Sequence, residues 1–156
     1  MLTIARTDPR SDGARRLLED SHAMMRALFP PDQNYFLDLE ALCAPGIHFF
    51  SASEDGRVLG TAALAERPGY GEVKSMFTDP PARGRGVAGA LLRRIEDQAR
   101  SLDLPCLRLE TGTVLTSALR LYEKHGFVAR GIFGDYRPND SSVYMEKPLL
   151  APAPDA

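Results

Sequence analysis

Hydrophobic and polar positions switch between two periods along this chain, and each switch marks an element. Leu2 to Ala5 has strand character. Asp8 to Gly13 then supplies turn and capping residues for a helix through Ala27, with Ala14, Leu17, Leu18, Met24, Met25 and Leu28 near one face. Phe29-Pro30-Pro31-Asp32 stops that helix, and Tyr35 to Leu42 reads as a second, shorter one. Ile47 to Ala52 and Val58 to Glu66 are strands joined by the hairpin turn Glu54-Asp55-Gly56. A further turn, Arg67-Pro68-Gly69-Tyr70-Gly71, leads into a strand from Glu72 to Phe77. Ala88, Leu91, Leu92, Ile95, Ala99 and Leu102 recur at helical spacing and turn Arg93, Arg94, Glu96 and Asp97 toward water. Asp103-Leu104-Pro105 breaks this helix, and Cys106 to Leu109 is a strand parallel to the one from Glu72, because a helix connects them. A helix from Thr116 to His125 closes on Gly126 as a left-handed cap, and Phe127 to Phe133 and Ser142 to Glu146 are the last strands.

Length narrows this to one domain over residues 1–150, since 156 residues with 44% hydrophobic content build one sizeable core but not two. Ala151-Pro152-Ala153-Pro154-Asp155-Ala156 is expected to be a disordered tail. A net charge of −2 gives no general attraction to nucleic acid or an anionic membrane. Neither a signal-peptide core nor an apolar run of about 20 residues is present, so a cytoplasmic protein is expected. Cys43 and Cys106 are read as reduced thiols, and no histidines and carboxylates stand at metal spacing.

One segment carries chemistry of its own. Arg83-Gly84-Arg85-Gly86-Val87-Ala88-Gly89 places a cationic, glycine-rich turn directly before an amphipathic helix, whose first N–H groups lack intrahelical partners. Glycines let a phosphate oxygen approach those amides without meeting a Cβ. Gly84, Gly86 and Gly89 also spell the dinucleotide fingerprint, with Glu110 near the distance of a ribose carboxylate. Against that reading, Thr78-Asp79-Pro80-Pro81-Ala82-Arg83 separates the strand from the first glycine, and its prolines forbid a tight strand-to-helix turn.

Read instead as R-x-x-G-x-A through Arg83, Gly86 and Ala88, the loop resembles the pyrophosphate grip of the GNAT acetyltransferase superfamily. Ala118-Leu119-Arg120-Leu121-Tyr122-Glu123-Lys124-His125-Gly126-Phe127 is similar to the second signature of that family. The resemblance implies an α/β (α+β) GNAT fold. Its mixed central sheet would have about six to seven strands flanked by helices, splayed between the strand ending near Phe77 and the strand ending near Glu110. It implies acetyl-coenzyme A as cofactor, held by Met76, Phe77 and Thr78 through their backbone and by Arg83, Gly84, Arg85, Gly86, Val87, Ala88 and Gly89, with Arg83 ahead of Arg85. Tyr122 would contact the cofactor and protonate the leaving thiolate, the alternative for it being a core aromatic. Glu72 would deprotonate the acceptor, against the plainer reading of a surface pair with Lys74, and Glu110 is the rival base. The chain departs from the family at Leu115, where Asn or Gln is common, which removes one side-chain contact.

The expected activity is therefore transfer of an acetyl group to a primary amine, of a small molecule, by direct attack in a ternary complex. Tyr35, Phe36, Glu110, Phe133, Asp135 and Tyr136 are the candidate acceptor residues. A protein amino group is the alternative acceptor, and a non-catalytic acyl-coenzyme A sensing module is the alternative function. GNAT proteins often pair, which leaves a homodimer open. His125, at a helix C-terminus where the dipole favours a cation, is read as a capping residue in preference to a catalytic one.

Overall fold

A computed structural model describes residues 1–149; the tail expected at 151–156 lies outside the described residues. Seven strands form one sheet in the order β1-β2-β3-β4-β5-β7-β6, comprising β1 (Thr3–Arg6), β2 (Ile47–Glu54), β3 (Arg57–Arg67), β4 (Tyr70–Thr78), β5 (Cys106–Gly112), β6 (Val128–Arg130) and β7 (Ser142–Pro148). Helices α1 (Asp12–Leu28), α2 (Leu39–Leu42), α3 (Val87–Ser101) and α4 (Thr116–Lys124) complete the fold. Every pairing is antiparallel except β4 with β5. This is the mixed, helix-flanked sheet the resemblance implied.

Alternation along β2 and β3 divides the core between the two faces of the sheet. Phe50, Ala52, Ala62 and Leu64 join Val87, Leu91, Leu92 and Ile95 of α3 in the larger cluster. Their neighbours Phe49 and Ala63 face the other way and pack with Ala14 and Leu18 of α1 and Leu42 of α2. The Asp55-Gly56 turn has both residues at positive φ, 51° and 78°, which matches the twist of the hairpin it closes.

Two local features open the sheet in the middle. The parallel pairing of β4 with β5 is confined to Gly71 with Leu107 and Glu72 with Arg108, so the strands diverge beyond that point. On the other edge of β4, the register with β3 slips between Thr61 with Phe77 and Ala63 with Lys74. The extra residue lies on β4, where Ser75 has φ 54°. A bulge of this kind bends a strand and re-aims its side chains. It is held by Thr61, whose Oγ1 donates to the Ser75 carbonyl at 2.9 Å.

Several expected elements differ in extent, β2, β5 and β7 running two or three residues further than expected, and three more differences bear on the site. The second helix covers only Leu39–Leu42, started by Asp38, whose side chain accepts from the Ala41 amide at 2.8 Å. Upstream the Tyr35 carbonyl is taken by the Lys74 ammonium at 2.9 Å, so Tyr35 to Leu37 stay outside the helix. The strand expected from Phe127 to Phe133 is only Val128–Arg130, because Phe133 turns into an aromatic cluster with Tyr70, Tyr136 and Tyr144. Strand β4 begins at Tyr70, two residues ahead of expectation, since the turn needs only Pro68 and Gly69.

Phe29 ties the loop after α1 to the end of β5. A Cβ on Gly112 would stand 2.2 Å from Phe29 Cζ, so the ring lies directly on this glycine. Gly112→Ala is expected to destabilise the protein by about 1–3 kcal/mol through overpacking. Urea unfolding with an unchanged slope is the measurement that checks it.

Candidate active site

The phosphate loop has the geometry of an anion cradle. Gly84 and Gly86 both sit at φ 81°, and a Cβ at either would meet nothing within 4 Å, so these glycines answer to backbone conformation and leave open space above the loop. Gly86 is the N-cap of α3, no side chain caps the helix start, and no acidic residue lies in its first turn. The first amides of a long helix are thus left to an external acceptor carrying negative charge. Val87 sends its side chain into the core and has only its amide to offer, while Ala88 and Gly89 are partly buried. Arg85 is engaged by Glu54, whereas Arg83 is exposed and makes no ion pair among the described residues. His125 stands over the same turn: its Nε2 would lie 3.4 Å from a Cβ on Gly89.

The bulge falls on the part of β4 beyond its last pairing with β5, the stretch that holds Ser75, Met76, Phe77 and Thr78. Ser75 Oγ is buried without a hydrogen-bond partner among the described residues, an orphan polar atom of the sort that marks a ligand site. Tyr122 of α4 is 5% exposed and packs edge-on against Phe127. Burial pushes its hydroxyl well above the usual phenol range, and the Glu110 carboxylate adds to the shift. No group among the described residues hydrogen-bonds that hydroxyl. Helix α4 starts at Leu115 without a side-chain cap.

On the face of the sheet opposite α3, a cavity of about 600 Å³ is lined by Tyr35, Arg67, Tyr70, Glu72, Lys74 and Tyr136, with Asp135 beside them. Glu72 is 3% exposed. Its Oε1 accepts from Arg67 Nε at 3.2 Å, and its Oε2 accepts from the Tyr136 hydroxyl and lies 3.6 Å from Lys74 Nζ. The pair with Lys74 exists, but in the interior rather than on the surface. Lys74 also donates to the Tyr136 hydroxyl at 2.9 Å. Burial lowers the Lys74 ammonium below its usual range, with Glu72 and Glu110 opposing the shift. Tyr136 is pushed far upward by burial first and by Glu72 second.

Glu110 of β5 accepts from Ser142 Oγ at 2.7 Å. Burial raises its carboxyl above the ordinary value of 4.5, against the pull of Ser142 and Lys74. Of the candidate acceptor residues, Tyr35, Asp135 and Tyr136 line the cavity. Phe133 packs behind it against Tyr70 and Tyr136, and Glu110 interacts electrostatically with both Lys74 and Tyr136. Phe36 is not brought there; its ring stacks on His22 of α1 at 4.1 Å. Arg67, Tyr70 and Lys74 were not singled out as acceptor contacts, although Tyr70, Glu72 and Lys74 fall at period two along β4, the signature of a polar strand face.

A split mixed sheet, an uncapped glycine-rich helix start and a buried tyrosine at the split define an acyltransferase built to hold coenzyme A. The chain belongs to the acetyltransferase (GNAT) family, whose pattern it matches over residues 14–127. It is 45% identical over 150 residues to the IAA acetyltransferase of Azospirillum brasilense, covering 95% of this chain and 98% of that protein. It is 35% identical over 152 residues to the uncharacterized N-acetyltransferase YedL of Escherichia coli, covering 96% of each. A solved structure described as an acyl-CoA N-acyltransferase from Klebsiella pneumoniae superposes with a TM-score of 0.81 at 32% identity, over 96% of this chain and 99% of that one. The chain is therefore an acetyl-coenzyme A dependent acyltransferase.

Proposed function

We propose that this enzyme acetylates the primary amine of a small molecule by direct attack within a ternary complex. The observation that supports this most is the placement of Glu110 and Tyr122 at the parting of β4 and β5, with α3 on one face of the sheet and the aromatic cavity on the other. Acetyl-coenzyme A supplies the thioester carbonyl when bound. The α3 amides and Arg83 would hold its phosphates, and the bulge on β4 would offer backbone N–H groups to its carbonyl oxygen.

An amine near pKa 10.4 must lose a proton before it attacks. Glu72 is poorly arranged for this, since both of its oxygens are engaged and two cations hold its negative charge. The proton therefore goes to Glu110, whose carboxyl burial raises above its ordinary value. Tyr122 keeps its proton ready for the departing sulfur.

Glu110→Gln is expected to lower kcat/KM by about 10²–10⁴ fold. The wild-type rate should fall as pH drops through the raised Glu110 pKa, an acid limb above 4.5 that the variant lacks. Because the folded pKa exceeds the unfolded one, stability from this group is lost as pH rises through the folded pKa. Glu110→Gln should therefore melt higher than wild type at neutral pH, where Ser142 still has an oxygen to bond. Thiol release, measured across pH with small primary amines and with peptides bearing a free N-terminus, tests the whole reading. Turnover of peptides alone would replace the small-molecule acceptor with a protein one.

A further inference from the structure

We propose that the acceptor is a free amino acid, its carboxylate held by Arg67 and its amine presented to Glu110; this rests on the acetyl-transfer reading above. Arg67 leaves β3 at the mouth of the cavity and spends only Nε on Glu72. Its two terminal nitrogens have no protein partner among the described residues. A guanidinium with its outer fork free, fixed through Nε by a buried carboxylate, is a preorganised site for a carboxylate group. Lys74 cannot take that part, because its three donors already meet Tyr35, Tyr136 and Glu72.

Charge in the cavity favours one anion at this end. Glu72 is flanked by both Arg67 and Lys74, and Glu110 acts on Lys74 from β5, so the outer fork of Arg67 is the cationic group left for an incoming anion. The opposing carboxylate, Asp135, is exposed and belongs to the outer rim, which it shares with a second cleft holding Asp32 and Asp140. An acceptor is thereby oriented with its anionic end beside Arg67 and its amine toward Glu110.

Spacing then sets the distance between the two ends of the ligand. Glu72 pairs with Arg108, so Glu110 stands two residues, about 7 Å, farther along the strands than the carboxylate that anchors Arg67. A ligand held at both ends therefore has its carboxylate and its amine close together, as an amino acid does. The edges of Tyr35, Tyr70 and Tyr136 line the remaining space and suit an apolar or aromatic side chain.

The test compares matched pairs on the full-length protein with saturating acetyl-coenzyme A: phenylalanine against phenethylamine and phenylalaninamide, and leucine against isoamylamine. Wild type should show kcat/KM higher by about ten- to a hundred-fold for the acid of each pair. Arg67→Gln should raise KM for the acids by a similar factor and so close the gap between the acids and their amines, and Arg67→Lys should restore part of that gap. Arg67 also supports Glu72, so the comparison within wild type decides the matter even where the variants fold poorly. Equal turnover of acids and amines overturns the assignment, as does cofactor binding without turnover of any amino acid. Calorimetry with acetyl-coenzyme A separates the levels: absent binding sinks acetyl transfer itself, whereas binding with no preference for the carboxylate sinks only the role of Arg67.

Discussion

Gly86→Glu is expected to abolish acetyl-coenzyme A binding, read by calorimetry as a loss of at least about a hundred-fold in affinity. Two effects act together. Gly86 sits at φ 81°, where a side chain costs about 1–2 kcal/mol of backbone strain. The new carboxylate also stands at the N-cap of α3, among the amides left free for phosphate, and a charged competitor there forfeits charge-assisted bonds worth about 1.5–3 kcal/mol each. A Cβ at this position meets nothing within 4 Å, so the fold should survive with a modest fall in melting temperature. Gly86→Ala separates the contributions, since it carries the strain without the charge and should lose about ten-fold or less. If both variants bind like wild type, the loop is a surface turn and the cofactor lies elsewhere.

The loop proposed to hold phosphate is legible in the sequence because a site of this kind is local. Glycines, arginines and an amphipathic helix follow one another within a few residues, and the backbone conformation they require is written in residue type. The acceptor side was less legible for a physical reason. Its residues come from the loop before α2, the end of β3, the start of β4 and the loop before β7, and no spacing along the chain joins Tyr35 to Lys74 or Lys74 to Tyr136. The same long-range contact explains why helix propensity failed at Tyr35, where the Lys74 ammonium captures a carbonyl a helix would need. Phe36 follows Tyr35 in sequence, whereas its stacking on His22 of α1 is a contact that only the fold brings about. Glu72 illustrates the limit from the other direction. The sequence marks a carboxylate at the start of a strand, but only the fold reveals Arg67 and Tyr136 closing over both of its oxygens.

Tyr122→Phe is expected to lower kcat by about 10²–10³ fold and to leave the affinity for acetyl-coenzyme A within about two-fold. The substitution is unusually clean because the Tyr122 hydroxyl bonds to nothing among the described residues, so its removal breaks no internal contact. The ring retains its edge-on packing against Phe127, and the melting temperature should be unchanged or slightly higher. A core aromatic with no chemical role predicts no change in rate, whereas a proton donor predicts a change in rate alone. The pH profile sharpens the distinction. Burial, aided by the Glu110 carboxylate, raises the Tyr122 pKa, so the group stays protonated through the alkaline range and wild-type kcat should show no descending basic limb there. In Tyr122→Phe the residual rate should depend on the basicity of the departing thiolate, and acyl thioesters with more acidic thiols should recover part of the loss. A variant as slow with those thioesters as with acetyl-coenzyme A would show that Tyr122 positions the cofactor without protonating it.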